Sequence, residues 1–237
     1  MNIKNFYYKE YFEDIDFNFV LKGKKPTDTD VDKITEKNKK LCEEKFRKNI
    51  IPAPECVTHR LRLKVLYPGL VTGVGIVHET SVTGEFKLGM HFDHTYGFPI
   101  IYGSSVKGVL REYLKEVLED DQDKKDMETA IFDGGTSIYD RDVFFDAVIV
   151  KGNKNGCILD KDAITPHKDG PLKNPIPITF MKIAPGCTIE FRFKLVTSVV
   201  KDKTITADEK LKYFKEILTT FGIGAKTNVG YGQLAEI

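Results

Sequence analysis

The pattern of apolar and polar positions divides the chain into short periodic blocks. After Pro26, Thr27-Asp28 introduces a helical run. Val31, Ile34, Asn38, Leu41, Cys42, Lys45 and Phe46 follow helical spacing, and the Pro52-Ala53-Pro54 break ends it. From Thr58 the period becomes two. Thr58, Arg60, Arg62 and Lys64 alternate with His59, Leu61, Leu63 and Val65, which predicts a strand with one polar and one apolar face. Tyr67-Pro68-Gly69 ends it, and a long irregular stretch follows. Val106, Val109, Leu110, Tyr113, Leu114, Val117 and Leu118 then form the stripe of a strong helix over 104–118. An acidic run, Glu119 to Asp126, closes that helix or loops out. Val143 to Val150 reads as a buried strand. Residues 160–185 are proline-rich and read as irregular, a length that predicts a functional or partner-ordered segment. From Thr188 to Val196, Ile189, Phe191, Phe193 and Leu195 alternate with Glu190, Arg192 and Lys194. Leu211, Phe214, Ile217, Leu218 and Phe221 mark a helix over 208–221, and a last short strand covers 231–236.

The order is strand, helix, strand, strand, helix, strand. It predicts an α+β protein with a ferredoxin-like (RRM-like) β-α-β-β-α-β core, carrying insertions and an N-terminal helical extension. The division expected is 1–57 for an aromatic arm and helix, and 58–237 for the core domain. The arm holds Phe6, Tyr7, Tyr8, Tyr11, Phe12, Phe17 and Phe19, and it is expected to pack on its own domain; a partner-binding arm is the alternative. In the ferredoxin-like fold the last strand lies beside the first. The loop before it therefore opens near the start of the 104–118 helix.

Two stretches carry chemistry. The first is FGIGAKTNVGYG, Phe221 to Gly232, with Gly222 and Gly224 before Lys226, Thr227 and Asn228, and Gly230 and Gly232 after. Successive backbone N–H groups in such a loop form an anion-binding concavity; the alternative is a turn that only joins a helix to an edge strand. A P-loop is excluded because Ala225 precedes Lys226, and a dinucleotide fingerprint because Thr227 stands three after Gly224. Both of those motifs also run strand, loop, helix, the reverse of this order. The second stretch is Gly103-Ser104-Ser105. Ser104 or Ser105 is a natural N-cap, and a helix start offers N–H groups and a positive dipole end to a phosphate. Lys107, Arg111 and Lys115 stack along one side of the helix; ordinary solvated cations are the alternative. Gly108 in mid-helix costs about 1 kcal/mol relative to alanine and predicts close approach of another backbone. His91-Phe92-Asp93-His94 invites a metal, but no second ligand cluster stands at convincing spacing, so no metal is assigned.

Composition narrows the picture further. The formal net charge is +1 and the pI about 7.6, so nucleic acid must bind at a local patch, not through bulk charge. No apolar run reaches the ~20 residues of a membrane helix, and the N-terminus has no apolar signal core. Cys42, Cys56, Cys157 and Cys187 form no C-x-x-C pair, which predicts free thiols without zinc or disulfides. A cytoplasmic protein with no cofactor and no membrane partner is expected.

GFPIIYGSSVKGVLREYL (97–114) and FGIGAKTNVGYG resemble the two glycine motifs of the CRISPR RAMP superfamily. IFDGG followed by DVFFDA resembles its central helix-to-strand segment, with Arg141 or Asp142 where a glycine usually opens the strand. Thr165-Pro166-His167 and NPIPITFMKIAPG look like the sixth subunit of the type III-B (Cmr) effector complex. The resemblance covers roughly 58–237. It implies a non-catalytic subunit that holds the guide RNA (crRNA) backbone at the head end of the complex, against the backbone and head RAMP subunits. Target RNA is then met only indirectly, through base pairing. Phosphate contacts of this kind position RNA without reading it. The residues onto which the role carries over are Ser104, Ser105, Lys107, Arg111, Gly222, Gly224, Lys226 and Asn228. Two other readings stand beside it. One is a metal-dependent RAMP endoribonuclease acting on guide precursor or target RNA, with Asp93 as its candidate. The other is a structural adaptor without RNA contact.

Overall fold

The structure is a computed structural model that describes residues 1–22, 25–48, 51–75, 77–78, 80, 82–118, 124–133, 137, 140–165, 177–201 and 203–237. In chain order the elements are α1 (Ile3–Tyr8), α2 (Asn18–Leu21), α3 (Asp28–Cys42), β1 (His59–Val65), β2 (Ile100–Ile101), α4 (Gly103–Val117) and α5 (Lys124–Glu128). Then come β3 (Val143–Phe144), β4 (Ala147–Lys151), β5 (Leu159–Ile164), β6 (Ile178–Ile183), β7 (Thr188–Lys194), β8 (Ser198–Val200), β9 (Lys203–Ile205), α6 (Ala207–Phe221) and β10 (Leu234–Ala235). The chain is a mixed α+β protein built on an antiparallel sheet.

The main sheet runs β10-β1-β7-β4-β2, with β3 also paired to β7. Its pairings are antiparallel. Lys64 faces Ala235 and Val65 faces Leu234, so the last strand lies beside the first, as the sequence predicts. Period-two alternation then sorts the strands by face. Leu63 and Val65 of β1, Ile189, Phe191 and Phe193 of β7, and Ala147 and Ile149 of β4 join one core with Val106, Leu110 and Leu114 of α4 and Phe214, Ile217 and Leu218 of α6. Burying one such aliphatic or aromatic side chain contributes about 1.5–3 kcal/mol. Two of the three 15-residue helices start on capping boxes, Thr27 with Asp30 for α3 and Thr206 with Glu209 for α6.

The aromatic arm packs onto the same core through Ile3, Phe6, Tyr7, Tyr11 and Ile15. The Tyr7 hydroxyl lies 3.0 Å from the Phe86 carbonyl and 2.9 Å from that of Leu88. The Tyr11 hydroxyl accepts from the Phe86 N–H (3.0 Å) and donates to Asn38 Oδ1 (2.5 Å). The arm thus pins the long irregular stretch after β1, in which the described residues form no strand.

Several expectations are corrected. α3 stops at Cys42 instead of reaching Phe46, because Lys45 bridges Cys157 and the Phe46 N–H donates to the Gly156 carbonyl (2.8 Å). The 143–150 strand is broken at Phe145-Asp146, where the Asp146 carboxylate turns to the start of α4. β7 is buried on both faces, Glu190 and Arg192 included. Residues 160–185 are not irregular throughout. β5 and β6 pair from Leu159↔Ile183 to Ile164↔Ile178, because the β-branched and aromatic residues of β6 outweigh the prolines beside it. Pro166, His167, Pro171 and Pro175 lie outside the described residues, as do Glu119 to Asp123 and Gly134-Gly135. The β8–β9 hairpin went unforeseen, since three-residue strands leave no periodic signal. β10 is shorter than predicted, as Tyr231-Gly232 remains in a turn.

Candidate nucleic-acid interface

The start of α4 departs from the expected cap. Tyr102 is the N-cap and makes no side-chain cap bond, so Ser104 and Ser105 are the second and third helical residues. The Gly103 N–H donates to Asp146 Oδ1 (2.7 Å), and the Ser105 N–H to the Tyr102 carbonyl (2.9 Å). Two of the N–H groups expected to be free are therefore taken. Gly103 is required here, since a Cβ would stand 2.3 Å from the Phe144 carbonyl oxygen.

The two serines serve different clefts. Ser105 and Gly108 border a cavity of about 420 Å3 with Thr72, Gly73, Gly224 and Ala225. Ser104 and Lys107 border another of about 430 Å3 with Phe132, Asp133 and Arg141. The helix start and the glycine loop meet at Ser105, while Ser104 and Lys107 look onto the turn after α5. Lys107 Nζ donates to the Phe132 carbonyl (2.5 Å). Arg111 donates to Glu128 (2.6 Å) and bidentately to Asp133 (2.7 and 3.0 Å). These hydrogen bonds to Glu128 and Asp133 raise the Arg111 pKa above its ordinary value. The two cations assigned to RNA phosphates are thus occupied within the chain, because a carbonyl and acids of the α5 segment and the turn after it face α4.

Gly108 also differs from expectation. A Cβ there would meet nothing within 4 Å. Among the described residues no backbone outside its own helix approaches it; the missing side chain leaves room on the cavity side.

In the glycine loop, Gly222 is buried with φ +73°, and a Cβ would stand 2.6 Å from the Gly232 carbonyl oxygen. It closes the loop on itself and presents nothing outward. Gly224 (φ +96°) lets the loop lie against Val71, whose carbonyl accepts the Ala225 N–H (2.8 Å). Gly224 itself remains exposed at the cavity. Beyond it Lys226 is held at φ +63°, in the left-handed region, and Asn228 is exposed in the 3₁₀ turn Thr227–Val229. The Lys226 ammonium has no hydrogen-bond or ion-pair partner among the described residues.

Sequence reasoning missed part of this cavity. His91 borders it, stacked on Tyr102 at 4.2 Å, with Nδ1 buried and without a hydrogen-bond partner among the described residues. Burial lowers its pKa against the opposing pull of Asp146. Thr72 also lines it, and its hydroxyl accepts the His91 N–H (3.2 Å). The only signal was the histidine-rich tetrapeptide, which pointed to metal chemistry. Asp93 instead caps its own turn, accepting from Thr95 (2.9 Å) and Tyr96 (2.6 Å), and His94 Nδ1 lies 2.6 Å from Lys4 Nζ. Among the described residues no three His, Cys, Asp or Glu side chains converge, and no helix is long and apolar enough to cross a membrane.

The fold and the cavity define an antiparallel α+β protein whose helix start and glycine-rich loop share one cleft. The RAMP superfamily matches residues 62–235, and the chain belongs to that family. No curated protein sequence matches it. A chain from the cryo-EM structure of the type III-B Cmr-beta bound to cognate target RNA is similar, with a TM-score of 0.55 and 22% identity. That match covers 74% of this chain and 56% of the other, so this chain spans just over half its length. At that identity the likeness is one of fold. The crystal structure of Cmr6 from Pyrococcus furiosus matches at 21% identity over 76% of this chain and 98% of that one, with a TM-score of 0.40.

Proposed function

We propose that this chain is a non-catalytic subunit of a type III-B CRISPR effector complex. It holds the guide-RNA backbone at the head end, beside other RAMP subunits. The observation that carries the reading is the cavity where Ser105 and Gly108 of α4 meet Gly224 and Ala225 of the glycine loop. Backbone groups, the Ser105 and Thr72 hydroxyls and His91 line it beside the apolar Val74, Ile101 and Val109; Gly108 leaves room at its wall, and Lys226 stands in the same loop without a partner among the described residues. Such a surface suits a phosphodiester backbone and carries no base code. The strand order, with β10 beside β1 and β7 between β1 and β4, supports a ferredoxin-like core. Family membership and likeness of fold to a chain of a Cmr complex support the assembly. The turned-in carboxylate of Asp93 supports the non-catalytic role.

The test is a titration of purified protein with guide RNA, comparing wild type with Gly108→Gln. Glutamine is a good helix former, so the variant should gain up to about 1 kcal/mol of stability. Its side chain enters the cavity, so RNA binding should fall. A stabilised variant with undiminished RNA binding would remove the cavity from the account.

A further inference from the structure

The face of the sheet turned away from α4 and α6 carries charge that this reading does not use. Arg60, Arg62 and Lys64 alternate with the core positions of β1. The register sets Arg60 opposite Arg192 and Arg62 opposite Glu190. Lys48, Arg60, Arg62, Lys151 and Arg192 line a cleft of about 620 Å3 in which Glu190 is the one acidic side chain among the described lining residues. It shares no lining residue with the cavity at the glycine loop.

Glu190 is already committed. Its carboxylate accepts from Arg62 Nε (2.8 Å) and Arg192 Nε (2.9 Å). Burial alone would raise its pKa, but the hydrogen bonds from Arg192 and Arg62 outweigh burial and hold it below the usual value. The rest of the Arg192 guanidinium donates to the Pro52 (3.0 Å) and Ile51 (3.2 Å) carbonyls. Lys48, Arg60 and Lys151 are exposed, and among the described residues they have no hydrogen-bond or ion-pair partner. Like charges directly opposite on neighbouring strands are destabilising. In the Arg60–Arg192 pair, Arg192 is met by Glu190 and the two carbonyls, while Arg60 has no acid of its own among the described residues.

We infer that this cleft binds the phosphate backbone of a second single-stranded nucleic-acid segment, separate from the one at the glycine loop. Alternate residues of a strand lie about 6.6–6.8 Å apart, so Arg60 and Arg62 in the cleft and Lys64 beyond its lining form a row of cations along β1. A row fits a polymer of repeated charge better than one small anion. Guanidinium groups match phosphate oxygens in a planar fork, and contact through the backbone is indifferent to sequence. The demand for a polyanion stands on the cleft alone; the choice of nucleic acid rests on the RNA-binding reading above.

The experiment measures binding of a labelled oligouridine to the full chain across a series of KCl concentrations. It compares wild type, Gly108→Gln, and the double variant Arg60→Ala with Lys151→Ala. The double variant should bind more weakly and flatten the slope of log K against log salt by about 1.4, two contacts at ~0.7 each. Its melting temperature should stay level or rise, since Arg192 loses a like-charged neighbour. Wild-type affinity and slope in the double variant would overturn the inference. So would a poly-glutamate peptide of equal length that displaces oligouridine from the Gly108→Gln protein as well as unlabelled oligouridine does. If Gly108→Gln binds normally while the double variant does not, this cleft stands and the glycine-loop reading fails.

Discussion

At the scale of single residues, Lys210 and Asp142 are both fully buried and bonded to each other at 2.6 Å. The Lys210 ammonium also donates to the Val196 carbonyl (2.8 Å) and Ser198 Oγ (2.7 Å), and Asp142 Oδ1 accepts the Val196 N–H (2.9 Å). The pair ties α6 to the strand opening before β3. Asp142→Asn keeps the shape but leaves a buried charge uncompensated, so denaturant titration should show a loss of about 3–5 kcal/mol. Adding Lys210→Met should recover part of that loss, and a strictly additive double variant would show that the pair is not coupled. His78 makes the pH prediction. It is buried and stacked on Tyr7 at 4.4 Å, and neither ring nitrogen has a hydrogen-bond partner of good geometry. Burial pushes its pKa down to about 4, against a smaller pull from the Phe86 backbone. Between that value and the unfolded value near 6.5 the unfolded chain binds the extra proton, so stability is full above that range and declines as pH falls through it. The slope for one such group is about 1.4 kcal/mol per pH unit. As pH is lowered from 7 to 4, the melting temperature should fall more steeply for wild type than for His78→Phe; equal curves would contradict it.

At the scale of elements, the β5–β6 hairpin anchors the glycine loop. The Tyr231 hydroxyl donates to Asp162 Oδ2 (2.8 Å), which also receives Lys182 Nζ (2.7 Å). Tyr231→Phe should cost about 0.5–1.5 kcal/mol and speed amide exchange at Lys226 to Gly230, as read by hydrogen–deuterium exchange; unchanged exchange there would show that the hairpin does not brace the loop. The elements themselves were unevenly legible. α4, α6, β1 and β7 were readable because seven or more residues repeat a period of two or about four. The hairpin was hidden because its two strands flank a proline-rich stretch and lie outside the main sheet. The break between β3 and β4 was hidden because it depends on Asp146 reaching Gly103 across the fold, a contact that local pattern does not carry.

At the scale of the whole molecule, the candidate site was half legible. Glycine spacing pointed to the loop, and the predicted strand order brought it to α4. What the chain could not reveal was how its own groups are spent. Lys107 and Arg111 look free in sequence but face acids and a carbonyl from the α5 segment. Gly222 looks open but is packed against Gly232. Lys226 is the reverse case. A side chain in the left-handed region costs about 1–2 kcal/mol, and a glycine would hold the turn without that strain.

The central claim is that this loop holds RNA by its backbone, and Lys226→Gly tests it most directly. Binding is measured for several unrelated guide sequences over a range of salt. The variant should be as stable as wild type or more so. It should bind every sequence more weakly, with the slope of log K against log salt reduced by about 0.7. A folded variant with unchanged slope, or one that weakens only some sequences, would contradict the account.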